Sequence, residues 1–320
     1  MNEETYQTIL KSIIERVSRL ENELAELRQF LLVQTLCLER PINKPSSIPT
    51  KLCASKSEST ETDYWEVTCL GSFELRRAGC LIAPCKSRRG QSILKYLLSR
   101  PKYTASTAML IECFWPEADS EASTHNLQMA IYALRRSLRG CGPMGSDDTV
   151  LFRNDHYLLN PALSIMQDVD SFRTAYECGQ RAASVGQSVE AIRAFEEARA
   201  RYSGDYLAEP YEEWATVHRV ALQDIRLDLL GQLGSLYTQA KEWECAVSCY
   251  RDMLAVDCYR EDIYRQLMCC YATCGRPAEV KHVYLTCQEY LRRDLCLDPA
   301  PETTVLYQQL IQHVVPLNKD

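Results

Sequence analysis

Apolar positions in the first 40 residues follow the spacing of a long helix. They recur at steps of four and three from Tyr6 to Leu38, which is the heptad pattern of a coiled coil. With Val17, Leu24 and Leu31 at heptad position a, two more leucines fall at position d, a combination typical of two-stranded parallel coils. The predicted dimerisation residues are Val17, Leu20, Leu24, Leu27 and Leu31.

Charged residues beside these positions fit a parallel dimer. Arg16 of one chain would face Glu21 of the other, and Glu23 would face Arg28, so both pairs attract. The sequence therefore predicts a homodimer formed through a coiled-coil helix at residues 1–40. A single amphipathic helix packed on the protein's own body accounts for the same spacing and stays open as the alternative.

The composition changes at Pro41, which cannot continue a helix. Residues 41–63 are rich in Pro, Ser, Thr and Lys and show no apolar periodicity. A segment of this composition cannot bury enough apolar surface to order itself, so a flexible linker is predicted.

Residues 64–162 alternate strand patterns with helix patterns. Two strands that turn at Gly79 come first, followed by a helix that begins near Arg88 and ends before Pro101. A second helix is predicted within residues 104–116, and a hairpin turning at 154–155 closes the segment. This order indicates a winged helix-turn-helix with small β elements. The second helix is expected to bury Met109, Leu110, Cys113 and Phe114.

The helix predicted at Ser123–Leu138 has two chemically different faces. Leu127, Ile131, Leu134 and Leu138 follow 4-3-4 spacing and mark a buried face. Side chains of the other face can donate to base edges or pair with phosphates, as a helix in the DNA major groove requires. Taken alone, the helix also fits an amphipathic surface helix with a solvated basic end. The predicted major-groove residues are His125, Gln128, Met129, Tyr132, Arg135 and Arg136.

Residues 166–314 show an internal repeat with a period of 34 residues. One unit holds Leu233, Gly234, Tyr237, Ala246, Tyr250 and Met253. The equivalent positions of the next unit hold Leu267, Met268, Tyr271, Val280, Tyr284 and Cys287. An earlier unit holds Gly179, Ala191, Phe195 and Ala198. The spacing predicts stacked helix pairs, a TPR-like (tetratricopeptide-like) α-solenoid, with an insertion at 204–222. The whole chain is therefore expected to be mainly α.

Net charge differs between the segments. The chain carries −7 overall, but residues 65–160 hold 12 Lys and Arg against 9 Asp and Glu, whereas residues 161–320 are net −8. Positive charge on the segment with the predicted reading helix fits DNA as a partner, and the acidic remainder would be repelled by it. No apolar run reaches the roughly 18 residues of a membrane span, and no signal peptide is recognisable, so a cytoplasmic protein is expected.

Sixteen cysteines are unusual for such a chain. Without a signal peptide or Cys-rich loops, a disulfide framework is not indicated. Most fall at apolar helical positions, where burial is expected: Cys178, Cys245, Cys249, Cys269, Cys270 and Cys287. The pairs Cys245–Cys249 and Cys270–Cys274 leave a metal or redox site open. No nucleotide-binding loop or catalytic motif occurs, so no enzyme activity, cofactor or metal is expected.

Several motifs match a known family. They are Leu70-Gly71-x-Phe73-x-Leu75, SRRGQSILKYLL, WPEAD followed by Asn126-Leu127, and Leu134-Arg135-Arg136-x-Leu138. Residues 64–162 thereby resemble the OmpR-type winged helix of bacterial transcriptional activators of the antibiotic-regulatory-protein type. Residues 166–314, through GDYLAEPYEEW and LCLDPAPETTVLYQQL, resemble that family's TPR-like bacterial transcriptional activator domain. The wing departs from the family, which often has Gly before its tyrosine where this chain has His156.

The resemblance implies a sequence-specific transcriptional regulator of the bacterial cytoplasm, associated with the nucleoid. It would bind double-stranded DNA as a dimer and activate transcription by recruiting RNA polymerase. Arg88 and Arg89 would contact the DNA backbone, and Arg153 and His156 of the wing would reach the adjacent minor groove. An acidic turn would face a sigma-factor domain of the polymerase; its residues are Pro116, Glu117, Asp119 and Ser120.

Two further hypotheses stay open. One is a non-enzymatic coiled-coil and TPR interaction scaffold, in which the winged helix binds protein. The other is a cysteine-based redox- or metal-responsive regulator, in which the thiols between Cys245 and Cys296 modulate DNA binding.

Overall fold

The computed structural model describes residues 64–139, 141, 148–208 and 212–314. The predicted coiled coil at 1–40, with its five dimerisation residues, and the predicted linker at 41–63 lie outside the described residues. Over the described residues the fold comprises ten α-helices and seven short strands, which confirms the mainly α class with small β elements. None of the helices in this part of the chain is both long and apolar enough to cross a membrane.

The amino-terminal part of the described chain is a winged helix, as predicted. Its elements are β1 Tyr64–Thr68, β2 Glu74–Arg77, β3 Cys80–Leu81, α1 Arg88–Ser99, β4 Thr104–Ser106, α2 Thr107–Phe114, α3 Ser120–Ser137, β5 Val150–Arg153, β6 His156–Leu159 and β7 Ser164–Gln167.

These strands form two small sheets. One has the order β3-β2-β1-β7, with β1 antiparallel to β2 and parallel to β7. The other has the order β4-β6-β5 and is antiparallel throughout. Helices α1 and α3 pack against each other, and their apolar faces bury Leu97, Leu127, Ile131 and Leu134 at 2% exposure or less. The sheets and helices thereby enclose one apolar core.

Three details of this domain differ from the sequence prediction. Residues 104–106 were predicted to open α2, but they form strand β4 and pair with the wing. The helix begins after them because the Ser106 hydroxyl accepts a hydrogen bond from the Met109 amide at 3.2 Å and caps it. Met109, predicted to face inward, is 38% exposed, since the buried face of this short helix consists of Leu110 and Phe114. Strand β7 was not predicted, and it lies beyond the expected domain end at residue 162.

The remaining chain folds into successive antiparallel helix pairs. Its helices are α4 Asp168–Ser184, α5 Ser188–Arg201, α6 Thr216–Gln239, α7 Trp243–Val256, α8 Glu261–Thr273, α9 Pro277–Leu295 and α10 Pro301–Val314. Helix α4 packs on α5, α6 on α7, and α8 on α9. This confirms the TPR-like solenoid.

The repeat positions form the core of the solenoid. All of the repeat residues named above are buried except Tyr237, which is half-buried. Gly234 is required by a close helix approach, since a Cβ there would lie 2.7 Å from Cε1 of Tyr250. The prediction of buried cysteines was wrong for two residues. Cys178 and Cys245 are exposed, because the buried stripes of α4 and α7 run beside them through Gly179 and Cys249.

The two domains are joined by partly buried hydrogen bonds around the β1–β2 connection. At the start of α4, the Asp168 carboxylate accepts hydrogen bonds from the amides of Cys69 at 2.9 Å and Leu70 at 2.8 Å. The Gly71 amide donates to the Asp205 carbonyl at 3.1 Å, and the Ser203 hydroxyl donates to the Leu70 carbonyl. Backbone groups of the winged helix are thereby held by side chains and one backbone carbonyl of the solenoid.

A second set of contacts joins α1 to the predicted insertion at 204–222. The Glu212 carboxylate accepts from the Ser92 hydroxyl and from the Trp214 indole. The Trp214 ring also packs edge-on against Tyr96, with ring centroids 5.1 Å apart. The sequence showed this segment only as a break in the repeat; in the structure, its residues Glu212 and Trp214 contact α1.

Candidate nucleic-acid interface

Helix α3 separates its buried and exposed residues as the sequence predicted. Leu127, Ile131 and Leu134 are at most 2% exposed. All six predicted major-groove residues are exposed, with Met129 at 55% and Tyr132 at 61%. Large apolar side chains at this exposure are available for contact with another molecule, and two of them on one helix face are a feature that requires explanation.

The start of α3 is fixed by the acidic turn that precedes it. The Asp119 carboxylate accepts a hydrogen bond from the Ala122 amide at 2.8 Å, so the helix begins at Ser120 rather than at Ser123 as predicted. The Ser123 hydroxyl is buried and donates to the Ala118 carbonyl at 3.2 Å. Pro116, Glu117, Asp119 and Ser120 are all exposed. Asp119 therefore has a structural role as helix cap in addition to any role as a docking residue.

Helix α1 presents two arginines beside α3. Its first turn is capped by the Ser87 hydroxyl, which accepts from the Gly90 amide at 3.1 Å. Gly90 allows the helices to approach closely, since a Cβ at this position would lie 2.9 Å from the Ala130 carbonyl oxygen. Arg88 and Arg89 are exposed, and the Arg89 guanidinium lies 5.8 Å from the Trp115 ring centroid. The pair is placed next to the helix predicted to read DNA.

The wing is a hairpin with a two-residue turn. Asn154 and Asp155 have φ values of 49° and 60°, the left-handed conformation that a type I′ turn requires. Arg153 and His156 flank the turn and are exposed. The His156 Nδ1 lies 2.7 Å from the Asn154 carbonyl oxygen. Since a carbonyl only accepts, Nδ1 donates, and Nε2 is left facing away from this contact.

Two contacts that the sequence analysis missed hold the wing in place. The Thr107 amide and hydroxyl both donate to the Asp155 carbonyl, at 3.0 and 3.2 Å, so the wing turn is fixed to the start of α2. The Arg135 Nε donates to the Val150 carbonyl at 2.9 Å, which links α3 to strand β5. Ser106 and Thr107, which precede an apolar run, indicated a helix start. No local pattern could show that Thr107 contacts a turn about 50 residues away.

Three cysteines of the solenoid, Cys249, Cys270 and Cys287, are buried. In the part of the chain that the structure describes, no group of three or more His, Cys, Asp or Glu residues is arranged to hold a metal ion. Burial raises the pKa of Cys249 and of Cys287 to about 12, and it also raises the pKa of Cys270. These thiols are therefore protonated at neutral pH, whereas a reactive cysteine needs a lowered pKa.

Comparison with known proteins finds a family match for the solenoid and transcriptional regulators as relatives. Residues 167–311 match the family model of the bacterial transcriptional activator domain. The transcriptional regulatory protein MoaR1 of Mycobacterium tuberculosis is 25% identical over 261 residues, which cover 77% of this chain and 78% of MoaR1. The regulatory protein AfsR of Streptomyces griseus is 25% identical over 250 residues, which cover 78% of this chain but 25% of AfsR.

A solved structure agrees with these matches at the level of the fold. Mycobacterium tuberculosis EmbR, in complex with a low affinity phosphopeptide, aligns over 80% of this chain and 67% of its own with a TM-score of 0.62 and 20% identity. These findings agree with the resemblance that the sequence predicted, since residues 167–311 match the bacterial transcriptional activator domain and the curated relatives are transcriptional regulatory proteins.

Proposed function

We propose that this regulator binds a specific DNA sequence by inserting α3 into the major groove. One observation carries the proposal: α3 buries one face completely, while His125, Gln128, Met129, Tyr132, Arg135 and Arg136 are exposed on the other. Gln can pair with adenine, Met and Tyr offer apolar contact to thymine methyl groups, and arginines pair with guanine or phosphate. Arg88, Arg89, Arg153 and His156 then contact the backbone and the minor groove on either side.

Selection of the full chain against random-sequence duplexes tests this proposal. We expect an enriched motif and an affinity that falls steeply with salt. Gln128→Ala and Tyr132→Ala should relax sequence preference, whereas Arg88→Ala and Arg89→Ala should weaken binding evenly across sequences. Arg193→Ala, an exposed arginine on α5, serves as control and should change neither. Absence of both motif and salt dependence would overturn the proposal.

We further propose that the acidic turn recruits RNA polymerase through a sigma-factor domain, which makes the protein an activator. Glu117 and Pro116 are exposed in the turn directly before α3. Glu117→Gln should reduce activated transcription in vitro and change DNA affinity little, because it removes a negative charge without adding a positive one. Asp119 is not suited to this test, since its loss also removes the cap of α3. Equal activation by wild type and Glu117→Gln would overturn this step.

Dimerisation through residues 1–40 remains part of the proposal, with Val17, Leu20, Leu24, Leu27 and Leu31 in the seam. A dimer in the cytoplasm would read two half-sites on nucleoid DNA. Sedimentation of the full chain should give a dimer, and Leu20→Lys with Leu27→Lys should give a monomer that binds single half-sites. A wild-type monomer would overturn it.

A further inference from the structure

The four-stranded sheet of the winged helix has an exposed outer face. Trp65, Val67 and Leu75 are buried on its inner side, so the residues between them point outward, because side chains alternate along a strand. The strand pairings align one outward residue from each strand. In the order β3, β2, β1, β7 these residues form the sheet row: Leu81, Arg76, Glu66 and Met166. The DNA-binding proposal uses none of these side chains.

The sheet row is apolar at both ends and charged in the middle. Leu81 and Met166 lie on the two edge strands and are 60% and 56% exposed. Neighbouring strands are about 4.8 Å apart, so the row is about 14 Å long. Arg76 pairs with Glu74 of its own strand at 3.1 Å, and both side chains are 44% exposed. An exposed ion pair stabilises little, so Arg76 is available to another carboxylate.

The order of the sheet row is complementary to itself. If two copies met face to face about a twofold axis parallel to the strands, each residue would lie opposite the residue at the same distance on the other side of the axis. With the axis between β1 and β2, Leu81 lies opposite Met166 of the second copy, and Arg76 lies opposite Glu66 of the second copy. Each contact occurs twice, so the row provides two apolar contacts and two ion pairs.

The next row of outward residues agrees with this arrangement. Glu74 is aligned with Thr68, so the same axis places each Glu74 opposite a Thr68 and brings no like charges together in the two rows. A twofold axis across the strands would instead place Arg76 opposite Arg76 and Glu66 opposite Glu66, which is repulsive. Charge complementarity therefore selects the axis that runs along the strands.

We propose that two copies of this chain pack together through the sheet row. Packed sheets lie about 10 Å apart, with their strands within about 30° of each other. The four residues of each copy bury much less than the roughly 800 Å² per partner of a stable interface, so the pairing is weak between free chains. Within the proposed coiled-coil dimer, linkage would raise the effective concentration of the two sheets. That step rests on the proposed function, whereas the sheet contact itself does not.

Sedimentation velocity of the full chain with Leu20→Lys and Leu27→Lys, without DNA, tests the contact apart from the coiled-coil seam. This parent variant should form dimers as its concentration rises. Arg76→Glu or Glu66→Arg, added to the parent, should weaken association at least tenfold, because like charges then meet twice. An equimolar mixture of these two variants should associate at least as tightly as the parent, since an all-acidic pair then faces an all-basic pair. Arg193→Glu, at an exposed position of α5, is the charge-reversal control and should associate as the parent does.

Replacement of the apolar ends gives a second test on the same parent. Leu81→Ser and Met166→Ser should each weaken association, and circular dichroism checks that every variant is folded. A parent that stays monomeric up to its solubility limit would overturn the proposal, and so would a mixture of the charge variants that associates no better than either variant alone. Undiminished association after either charge reversal or after Met166→Ser would also overturn it, because another surface would then carry the contact. None of these results depends on whether the protein binds DNA.

Discussion

Two surfaces of the winged helix use polar side chains in opposite ways. Where the domain meets the solenoid, its polar groups are paired with the solenoid residues Asp168, Ser203 and Glu212. On the outer face of α3, Gln128, Tyr132 and the other predicted major-groove residues are exposed. Among the described contacts of these residues, only the Arg135 side chain forms a hydrogen bond to backbone outside the helix.

The difference separates groups that stabilise the fold from groups available to a partner. A buried polar group that loses its partner destabilises the fold, whereas an exposed one has already exchanged its bonds with water. Helix α1 belongs to both surfaces, since Arg88 and Arg89 lie beside α3 and Ser92 contacts Glu212. Substitutions can therefore test each surface by its effect on unfolding and on DNA binding.

Asp168→Ala should have the largest effect on stability. It removes the acceptor of the Cys69, Leu70 and Val169 amides, at 2.8–2.9 Å, and leaves those donors unsatisfied at the domain junction. We expect a loss of about 3 kcal/mol in the free energy of unfolding, measured by urea denaturation. Asp224→Ala, at an exposed position of α6, should change it by less than about 0.5 kcal/mol. Similar values for both variants would mean that the junction is not stabilised by these bonds.

Gly90→Ala should have the next largest effect, because it acts where α1 meets α3. The added Cβ would lie 2.9 Å from the Ala130 carbonyl, so the helices must separate at a cost of about 2 kcal/mol. Gly231→Ala is the matched control. Its Cβ would meet Met253 at an ordinary 3.5 Å, and the helix should gain about 0.5–1 kcal/mol. Thermal unfolding of both variants checks the opposite signs.

Local periodicity predicted much of this fold. The two faces of α3 and the repeat residues of the solenoid follow directly from 3.6-residue spacing, and they were located correctly. Strand β7 could not be found in this way, since a four-residue strand is defined by its pairing with β1, about 100 residues earlier. The same limit applies to the candidate site. Exposure of its residues was predictable, but the contacts Thr107–Asp155 and Arg135–Val150 depend on the tertiary arrangement.

Lys95→Met should stabilise the protein, by about 1–2 kcal/mol at neutral pH. Lys95 is 1% exposed, and within the described chain its Nζ has no hydrogen-bond partner. Burial lowers its pKa below 10.5, although Glu212 partly offsets this. A buried cation without a hydrogen bond costs free energy that an apolar side chain of similar length does not.

The sign of this effect can be checked through its pH dependence. Because the folded-state pKa of Lys95 is lowered, the folded protein binds fewer protons than the unfolded chain between that pKa and 10.5. The contribution of Lys95 to wild-type stability therefore rises with pH across this window, and the advantage of Lys95→Met should shrink as the pH approaches 10.5. Lys102→Met, at an exposed position, should show no such trend in denaturation at pH 7 to 10. A constant difference would show that the gain comes from packing alone.

Arg135→Gln and Arg136→Gln should give the smallest effects and the sharpest test of the two surfaces. Only Arg135 donates to the wing, at 2.9 Å from the Val150 carbonyl, so its loss should cost about 0.5–1 kcal/mol of stability and that of Arg136 almost nothing. If both contact phosphates, each substitution should reduce the slope of log affinity against log salt by about 0.9. Equal slopes for wild type and Arg136→Gln would make Arg136 a solvated helix end. An unchanged slope with lower stability in Arg135→Gln would move Arg135 from the reading face to the groups that hold the fold.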